Sequence, residues 1–434
     1  MNRILTITLI TILLLNGCSD KENTDPYIAK VGSSIVSLDQ FLNSYKKIIR
    51  LSNLSDSPEL RKMHAEKLVE KKLLAIAARN KNLNLDNHAR QQVELAKEDI
   101  MRELLYERKI AQADVTIPDS MLRKHYRWKN TEVKLRHIFH QEYSFIDSLS
   151  KIIKQDTVKF IHEAKLHLKN IELKNSGGNL GWIPYDALDP NLEEHAFSMS
   201  IGKIAEPVQS SYGWHILYKE NEKYQLFIDE NLFQSQKEKL RIRILQKKRQ
   251  IIADQYVNNL IQDKEISIND SLFYYISALI GYAINSKESK SITETQQESI
   301  YAKLTDVKKE VLANIEGKSL TVDDFIIRLQ TQPPNIINGN LTTGLYRIIR
   351  DIILAKEAKD LSMNKHTRVK QRITDVQDNY YTSLFLKTVL PRDSTHIQNT
   401  DLKKIADSLA NIYTVKYNDA LLDTFVLYLK QINK

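Results

Sequence analysis

The chain has 434 residues and a net charge of +9, from 63 Lys and Arg against 54 Asp and Glu. Only 11 Gly and 9 Pro, beside 27% charged and 42% hydrophobic residues, exclude a disordered chain and favour long amphipathic helices over a sandwich, barrel or propeller. The one cysteine, Cys18, excludes an intrachain disulfide, a cysteine-rich zinc site and a CxxC redox centre.

Met1-Asn2-Arg3 is a short basic start, followed by an apolar run from Ile4 to Leu15 and then Asn16-Gly17-Cys18. A charged start, a short apolar stretch and a small residue before the cut read as a secretory signal over 1–17, too short to span a bilayer. The Leu15-x-Gly17-Cys18 ending resembles the bacterial lipobox, whose cysteine takes a diacylglycerol and becomes the new N-terminus. The alternative is an ordinary signal peptide with a chance cysteine. Acyl chains bury CH₂ groups at about 0.8 kcal/mol each, so lipid on Cys18 would anchor the body to a membrane. Export sets nucleic acid aside as a partner and turns the basic charge toward membrane surface or acidic client chains. Ser19 after the cysteine resembles outer-membrane sorting in diderm bacteria. The expected place is therefore the periplasmic face of the outer membrane, with the cell surface as the alternative.

Residues 18–26 read as a polar tether. Ala29 to Val36 reads as a hairpin turning at Gly32, and Ser37-Leu38-Asp39-Gln40 as a capping box opening a helix. Helical periodicity runs on to about Ile110, and Pro118-Asp119 opens a short helix ending near Trp128, so 27–128 is one helical region. Val133 to Phe139 alternates as a strand. Helices follow over Phe145–Ile153, Val158–Lys169 and Asn191–Met199, and Val208 to Tyr218 reads as a second alternating strand. A long helix through Ile242, Leu245, Ile252, Tyr256 and Leu260 then begins a returning helical segment, 232–286. Lys237, Lys239, Arg241, Arg243, Lys247, Lys248 and Arg249 read as its solvated face, attraction to clients or membrane being the alternative. The apolar stretch Leu272–Ile284 falls short of a bilayer span and reads as a buried helix. Residues 287–307 are a polar linker.

The opening of the chain then repeats. Val311 to Thr321 matches the first hairpin, and Thr321-Val322-Asp323-Asp324-Phe325 matches Ser37 to Phe41. At a constant offset Leu74-Ala75 meets Leu354-Ala355, Ala78 meets Ala358 and Leu104 meets Leu384. Ile268-Asn269-Asp270-Ser271-Leu272 likewise matches Tyr417-Asn418-Asp419-Ala420-Leu421. A helical module is thus duplicated, the second copy over 308–434, and only the first copy carries an inserted domain.

The insert, 133–222, resembles the parvulin family of peptidyl-prolyl isomerases. The resemblance rests on Leu135-Arg136-His137-Ile138, Gly177-Gly178-Asn179-Leu180-Gly181-Trp182, Glu193 to Phe197, Gly202 to Val208 and Tyr212-Gly213-Trp214-His215-Ile216-Leu217. The surrounding helices look like those of the exported foldases SurA and PrsA. The resemblance implies a mainly α protein with an inserted α+β parvulin domain, a small antiparallel sheet flanked by helices. It implies His137 and His215 as paired histidines on adjacent strands, and Leu180, Leu188, Leu192, Phe197 and Tyr212 as the residues meeting the peptide. The bland reading of each histidine is a hydrogen-bonded core residue. Where the family usually carries an acid or cysteine, this chain has Asn170, and the bulky aromatic of the cup is Leu192.

Rotation about a Xaa-Pro amide breaks no bond, so no nucleophile, cofactor or metal is called for, and the histidines show no ligand spacing such as HExxH. No Walker or Rossmann glycine pattern is present. The expected function is an exported, lipid-anchored foldase that isomerises Xaa-Pro segments and binds unfolded clients. The alternative is a holdase whose degenerate parvulin domain only binds peptide.

Overall fold

The computed structural model describes residues 26–52, 54–211, 213–224, 229–284, 302, 304–333, 341–389 and 399–423. Cys18 and the signal, Tyr212 and most of the linker therefore lie outside the described residues. In chain order the elements are β1 (Tyr27–Val31), β2 (Ser34–Ser37), α1 (Leu38–Ser52), α2 (Pro58–Asn80), α3 (Asn87–Tyr106) and α4 (Asp119–Lys129). Then come β3 (Thr131–His140), α5 (Tyr143–Ile153), α6 (Thr157–His167), α7 (Ile171–Ser176), β4 (Asn179–Pro184), α8 (Pro190–Ser198), β5 (Val208–Ser210) and β6 (Gly213–Tyr224). The rest comprises α9 (Glu230–Ile261), β7 (Ile266–Ile268), α10 (Asp270–Ile284), β8 (Val311–Ile315), β9 (Lys318–Thr321), α11 (Val322–Leu329), α12 (Leu341–Asp360), α13 (Thr367–Val389), α14 (Asn399–Ala410) and β10 (Val415–Tyr417). The chain is mainly helical with small antiparallel sheets, as the composition predicts. It divides into two compact units, Met1–Lys97 with Lys365–Lys434, and Glu98–Asn364.

In the unit built from both chain ends, Ile28, Ala29 and Val31 of β1 are buried against Phe41, Tyr45, Leu68 and Leu73, with Ala406 and Leu422 completing the core. Ser37 caps α1, its Oγ accepting from the Gln40 amide at 3.1 Å. The reciprocal half of that box is missing, since Gln40 Oε1 has no partner among the described residues. The copy at Thr321 makes both halves with Asp324. Buried Lys72 on α2 lies 3.0 Å from Asp375 and 2.6 Å from Asp378 on α13, and Arg79 reaches Asp378 at 2.6 Å. Charges withdrawn from water are tolerated only when paired, so this cluster fixes how α13 lies on α2.

The middle unit holds two sheets. One is β7-β8-β9, covered by Phe273, Ile276, Phe325, Ile348 and Ile353. The other has strand order β4-β3-β6-β5. Alternation along β3 and β6 gives that sheet two apolar faces. Ile138 and Ile216 meet Ile146 and Phe160 of α5 and α6, while Val133, Leu135 and Leu217 meet Leu192 and Phe197 of α8. Helices α4 and α9 lie together beside the domain through Leu122, Tyr126, Phe233, Leu240 and Ile244.

Two sequence expectations are corrected here. The basic residues of α9 do not form a merely solvated face. Lys247 is buried and ion-paired with Asp186 and with Glu193 of α8, Arg243 meets Asp186 at 3.1 Å, and Arg241 donates to the Ile117 carbonyl at 3.0 Å. Acidic residues of the inserted domain neutralise Arg243 and Lys247, and charge runs read along one helix do not show a partner far away in sequence.

The second correction concerns the duplicated modules. The segment read as the return of the first copy closes the second hairpin: β7 pairs with β8, Ile266 opposite Ile315 and Ile268 opposite Ala313. The last strand, β10, pairs with β1, Ala29 opposite Tyr417 and Val31 opposite Val415. Each closing segment is anchored alike. The Asn269 amide donates to the Leu312 carbonyl at 2.9 Å, and the Asn418 amide to the Ile28 carbonyl at 2.8 Å. Both asparagine side chains then cap the next helix, from Leu272 N at 3.1 Å and Leu421 N at 3.2 Å. The two hairpins and the two closing segments share one apolar and turn pattern, so alignment alone cannot tell which pair forms. Removing residues 399–434 should therefore raise amide hydrogen exchange across 27–37 and leave 311–321 at its intact-chain rate. Increased exchange at 311–321 instead would restore the sequential arrangement.

Candidate active site

The geometry begins with a tight turn. The stretch from Val208 to Tyr218, expected as one strand, is a hairpin in which Ser210 faces Gly213 and Val208 faces His215. Gly213 has φ +141, and a Cβ there would lie 2.8 Å from the His140 carbonyl oxygen, so the close return requires glycine. A single strand would carry Ser210 away from His215. The hairpin brings Ser210 Oγ to 2.9 Å from His215 Nε2.

On the neighbouring strand, His137 lies opposite Leu217 and Phe139 opposite His215. The two histidines are diagonal neighbours on the face that carries Leu135 and Leu217. Their ring centroids are 5.6 Å apart with planes 28° from parallel, and Phe139 closes on His215 at 5.0 Å. Gly178, at φ +77, passes directly over His137. Its carbonyl accepts from the His137 amide at 2.9 Å, and a Cβ on it would lie 2.3 Å from the His137 oxygen. Arg136 donates to the carbonyls of Ser176 and Gly177, tying this loop to β3.

Burial drives the electrostatics. Loss of water holds the His137 pKa down to about 4, and burial together with the nearby His137 holds His215 down to about 3. Both rings are neutral at physiological pH, each with one donor and one acceptor nitrogen. Among the described residues, His137 Nε2 and His215 Nδ1 have no hydrogen-bond partner. Ser210 has one hydroxyl hydrogen, and the Gly213 carbonyl lies 3.2 Å away to accept it. In that arrangement His215 Nε2–H donates to Ser210, leaving Nδ1 as an acceptor. Ser210 was not among the sequence candidates; only the turn places it here.

Beside the rings, Leu192 and Phe197 are buried and Leu180 and Leu188 half-buried in one apolar cluster, joined by Met199, which sequence reasoning also missed. Tyr212 lies outside the described residues. Asn170, expected beside the histidines, is exposed at the N-terminus of α7, where its Oδ1 accepts from the amides of Glu172 and Leu173, both at 3.0 Å. Its oxygen thus serves as a helix cap, a role that Asn ahead of Ile-Glu-Leu itself signals.

Residues 140–221 match the family model described as Rotamase: PPIC-type PPIASE domain, and the chain carries a domain of this parvulin type. Similar proteins include the foldase protein PrsA of Oceanobacillus iheyensis, 31% identical over 40% of this chain and 58% of that one. A probable parvulin-type peptidyl-prolyl cis-trans isomerase of Bordetella bronchiseptica is 26% identical over 42% of this chain and 70% of that one. Among solved structures, PrsA from Bacillus anthracis aligns over 51% of this chain and 83% of that one, at 18% identity and a TM-score of 0.25. One of two Campylobacter jejuni proteins described as SurA-like chaperones aligns over 55% and 97%, at 19% identity and a TM-score of 0.24. The chain spans only a little over half the length of the first relatives it matches, 58% and 55%.

The depressed histidines make a prediction. An unfolded imidazole takes a proton below about pH 6.5, whereas these rings in the folded chain do not until about 4 and 3. Acid in that window favours the unfolded chain, so their contribution is intact above pH 6.5 and is lost as the pH falls. Each ring adds a slope of up to about 1.4 kcal/mol per pH unit. His215→Gln should flatten the fall of Tm between neutral and acid pH; an unchanged slope would contradict the desolvated pair.

Proposed function

We propose that the domain between Thr131 and Tyr224 catalyses cis–trans isomerisation of Xaa-Pro bonds in client polypeptides, within an exported foldase. The observation that carries this reading is the neutral, desolvated His137–His215 pair on the same sheet face as the Leu180, Leu188, Leu192, Phe197 and Met199 cluster. The barrier to rotation, about 18–20 kcal/mol, comes from amide resonance. Twisting the amide moves electron density off the carbonyl oxygen and onto a pyramidal nitrogen. An apolar cup that seats the pyrrolidine ring and excludes water, with neutral hydrogen-bonding groups beside it, favours that twisted state over the planar one. Neutral imidazoles suit this role because no proton has to leave or arrive.

The helical units supply a second part of the reading, binding extended, unfolded stretches of client. The lipobox-like Leu15-x-Gly17-Cys18 supports a lipid anchor and action outside the cytoplasm. The placement on the periplasmic face of an outer membrane belongs to the same proposal. The alternative is a non-catalytic holdase whose parvulin-type domain only binds peptide.

A proline-limited refolding assay separates the two. The intact chain should accelerate the slow phase, and His137→Ala or His215→Ala should reduce kcat/KM by about 10²-fold, the usual cost of losing one positioned polar group. Suppression of aggregation with no acceleration by the intact protein would establish the holdase.

A further inference from the structure

The turn that delivers Ser210 to His215 is held from outside its own domain. Asp189 caps α8, the helix bearing Leu192 and Phe197, its Oδ1 accepting from the Asn191 amide at 3.0 Å. Its other oxygen, Oδ2, accepts from Ser211 Oγ at 2.8 Å and lies 3.3 Å from the Ser211 amide. Asn191 fastens the same strand, donating from Nδ2 to the Gln209 carbonyl at 2.7 Å. On the far side, Asp254 of α9 places Oδ2 3.1 Å from the same Ser211 hydroxyl. One hydroxyl therefore faces two carboxyl oxygens.

A hydroxyl has a single hydrogen and can donate to only one of them. The other contact is satisfied when that carboxyl itself brings a hydrogen and donates to Ser211 Oγ. The chain Asp254 O–H to Ser211 O–H to Asp189 carboxylate uses every atom, whereas two carboxylates around one hydroxyl repel. From this geometry we infer that Asp254, acting through Ser211 and Asp189, is a positioning residue of the isomerase site, latching the Ser210–Ser211 turn beside His215 when its carboxyl carries a proton and releasing it when ionised. The inference rests on the isomerase reading above, and its test separates the two.

Burial and the Asp189 charge favour the protonated carboxyl. Burial raises the Asp254 pKa from 3.8 to about 6; the Ser211 hydrogen bond opposes this, the Asp189 charge adds to it, and Arg350 of α12 opposes it. Those three groups, from the turn, α8 and α12, are the ones that face it. His137 and His215 titrate near 4 and 3, so neither imitates a transition near 6. Each pH unit by which the Asp254 pKa differs between the held and the lifted turn corresponds to about tenfold in their ratio. The latch thus links a helix outside the parvulin-type domain to the geometry of the proline site.

The test uses the full chain, an Ala-Pro-containing peptide, and two readouts between about pH 5 and about pH 7.5, a range that brackets the transition. The first is isomerisation, as kcat and KM by exchange NMR; the second is amide hydrogen exchange across 208–216, corrected for intrinsic rates. Wild type should show KM rising up to about tenfold with pH while kcat changes less, and exchange rising together with it. Asp254→Asn, neutral and able to donate, should hold KM and exchange at their low-pH values throughout. Ser211→Ala, at an exposed turn position, should show raised exchange and no pH step. Normal turnover with no step in wild type, or the same step in Asp254→Asn, overturns the latch. An exchange step abolished by Asp254→Asn, in a wild type with no isomerisation at any pH, supports the latch and overturns the isomerase reading instead.

Discussion

Two imidazoles withdrawn from water on neighbouring strands set the terms for the rest of the middle unit. A buried polar ring is costly unless it is hydrogen-bonded or kept uncharged, and here both devices operate. Desolvation keeps His137 and His215 neutral, and Ser210 satisfies one nitrogen of His215. Two glycines let the backbone close on the pair. Gly178 packs its bare Cα over the His137 carbonyl, and Gly213 turns the chain in a space no side chain fits. A substrate amide entering such a site meets groups already oriented, without the reorganisation that water would require.

Holding the small sheet in place falls to charges, not only to apolar contact. Glu193, buried on α8, is raised by burial against the opposing pull of Lys247 from α9, and accepts from the Asp186 amide as well. His125 of α4 bonds Tyr185 through Nδ1 at 2.9 Å, and Lys124 reaches Glu194 at 2.9 Å. A purely hydrophobic seat would hold as firmly but would permit sliding; directional pairs fix one register. The price is several buried charges, each of which would be destabilising if its partner were lost.

Much of this was legible in the sequence because periodicity reports which face is buried. The longer helices, the strand through His137 and the duplicated hairpin with its cap at Thr321 appear where their patterns place them, whereas α7 and the short strands β4, β7 and β10 were not read. What failed is instructive. Alternation continues through Ser210 and Gly213 whether the chain runs straight or folds back, so the hairpin, and with it Ser210, was invisible. Asn170 stands beside the histidines only through the resemblance, while its place ahead of Ile-Glu-Leu makes it a cap in the fold. The exchange of closing strands escaped because segments that share one apolar pattern carry no record of their partner. The acids awaiting the α9 lysines and arginines lie far away in the chain.

In the proposed function, a desolvated, neutral histidine pair beside an apolar cup recognises proline. Nitrogen NMR of the imidazole rings in the full chain, titrated with matched peptides that differ only in Pro or Ala, tests it most directly. The account predicts that His137 and His215 stay neutral from about pH 8 down to about pH 5, given folded values near 4 and 3, and that both move with the proline peptide but not with the alanine peptide. Rings that titrate at the ordinary value, or that ignore proline, would contradict it.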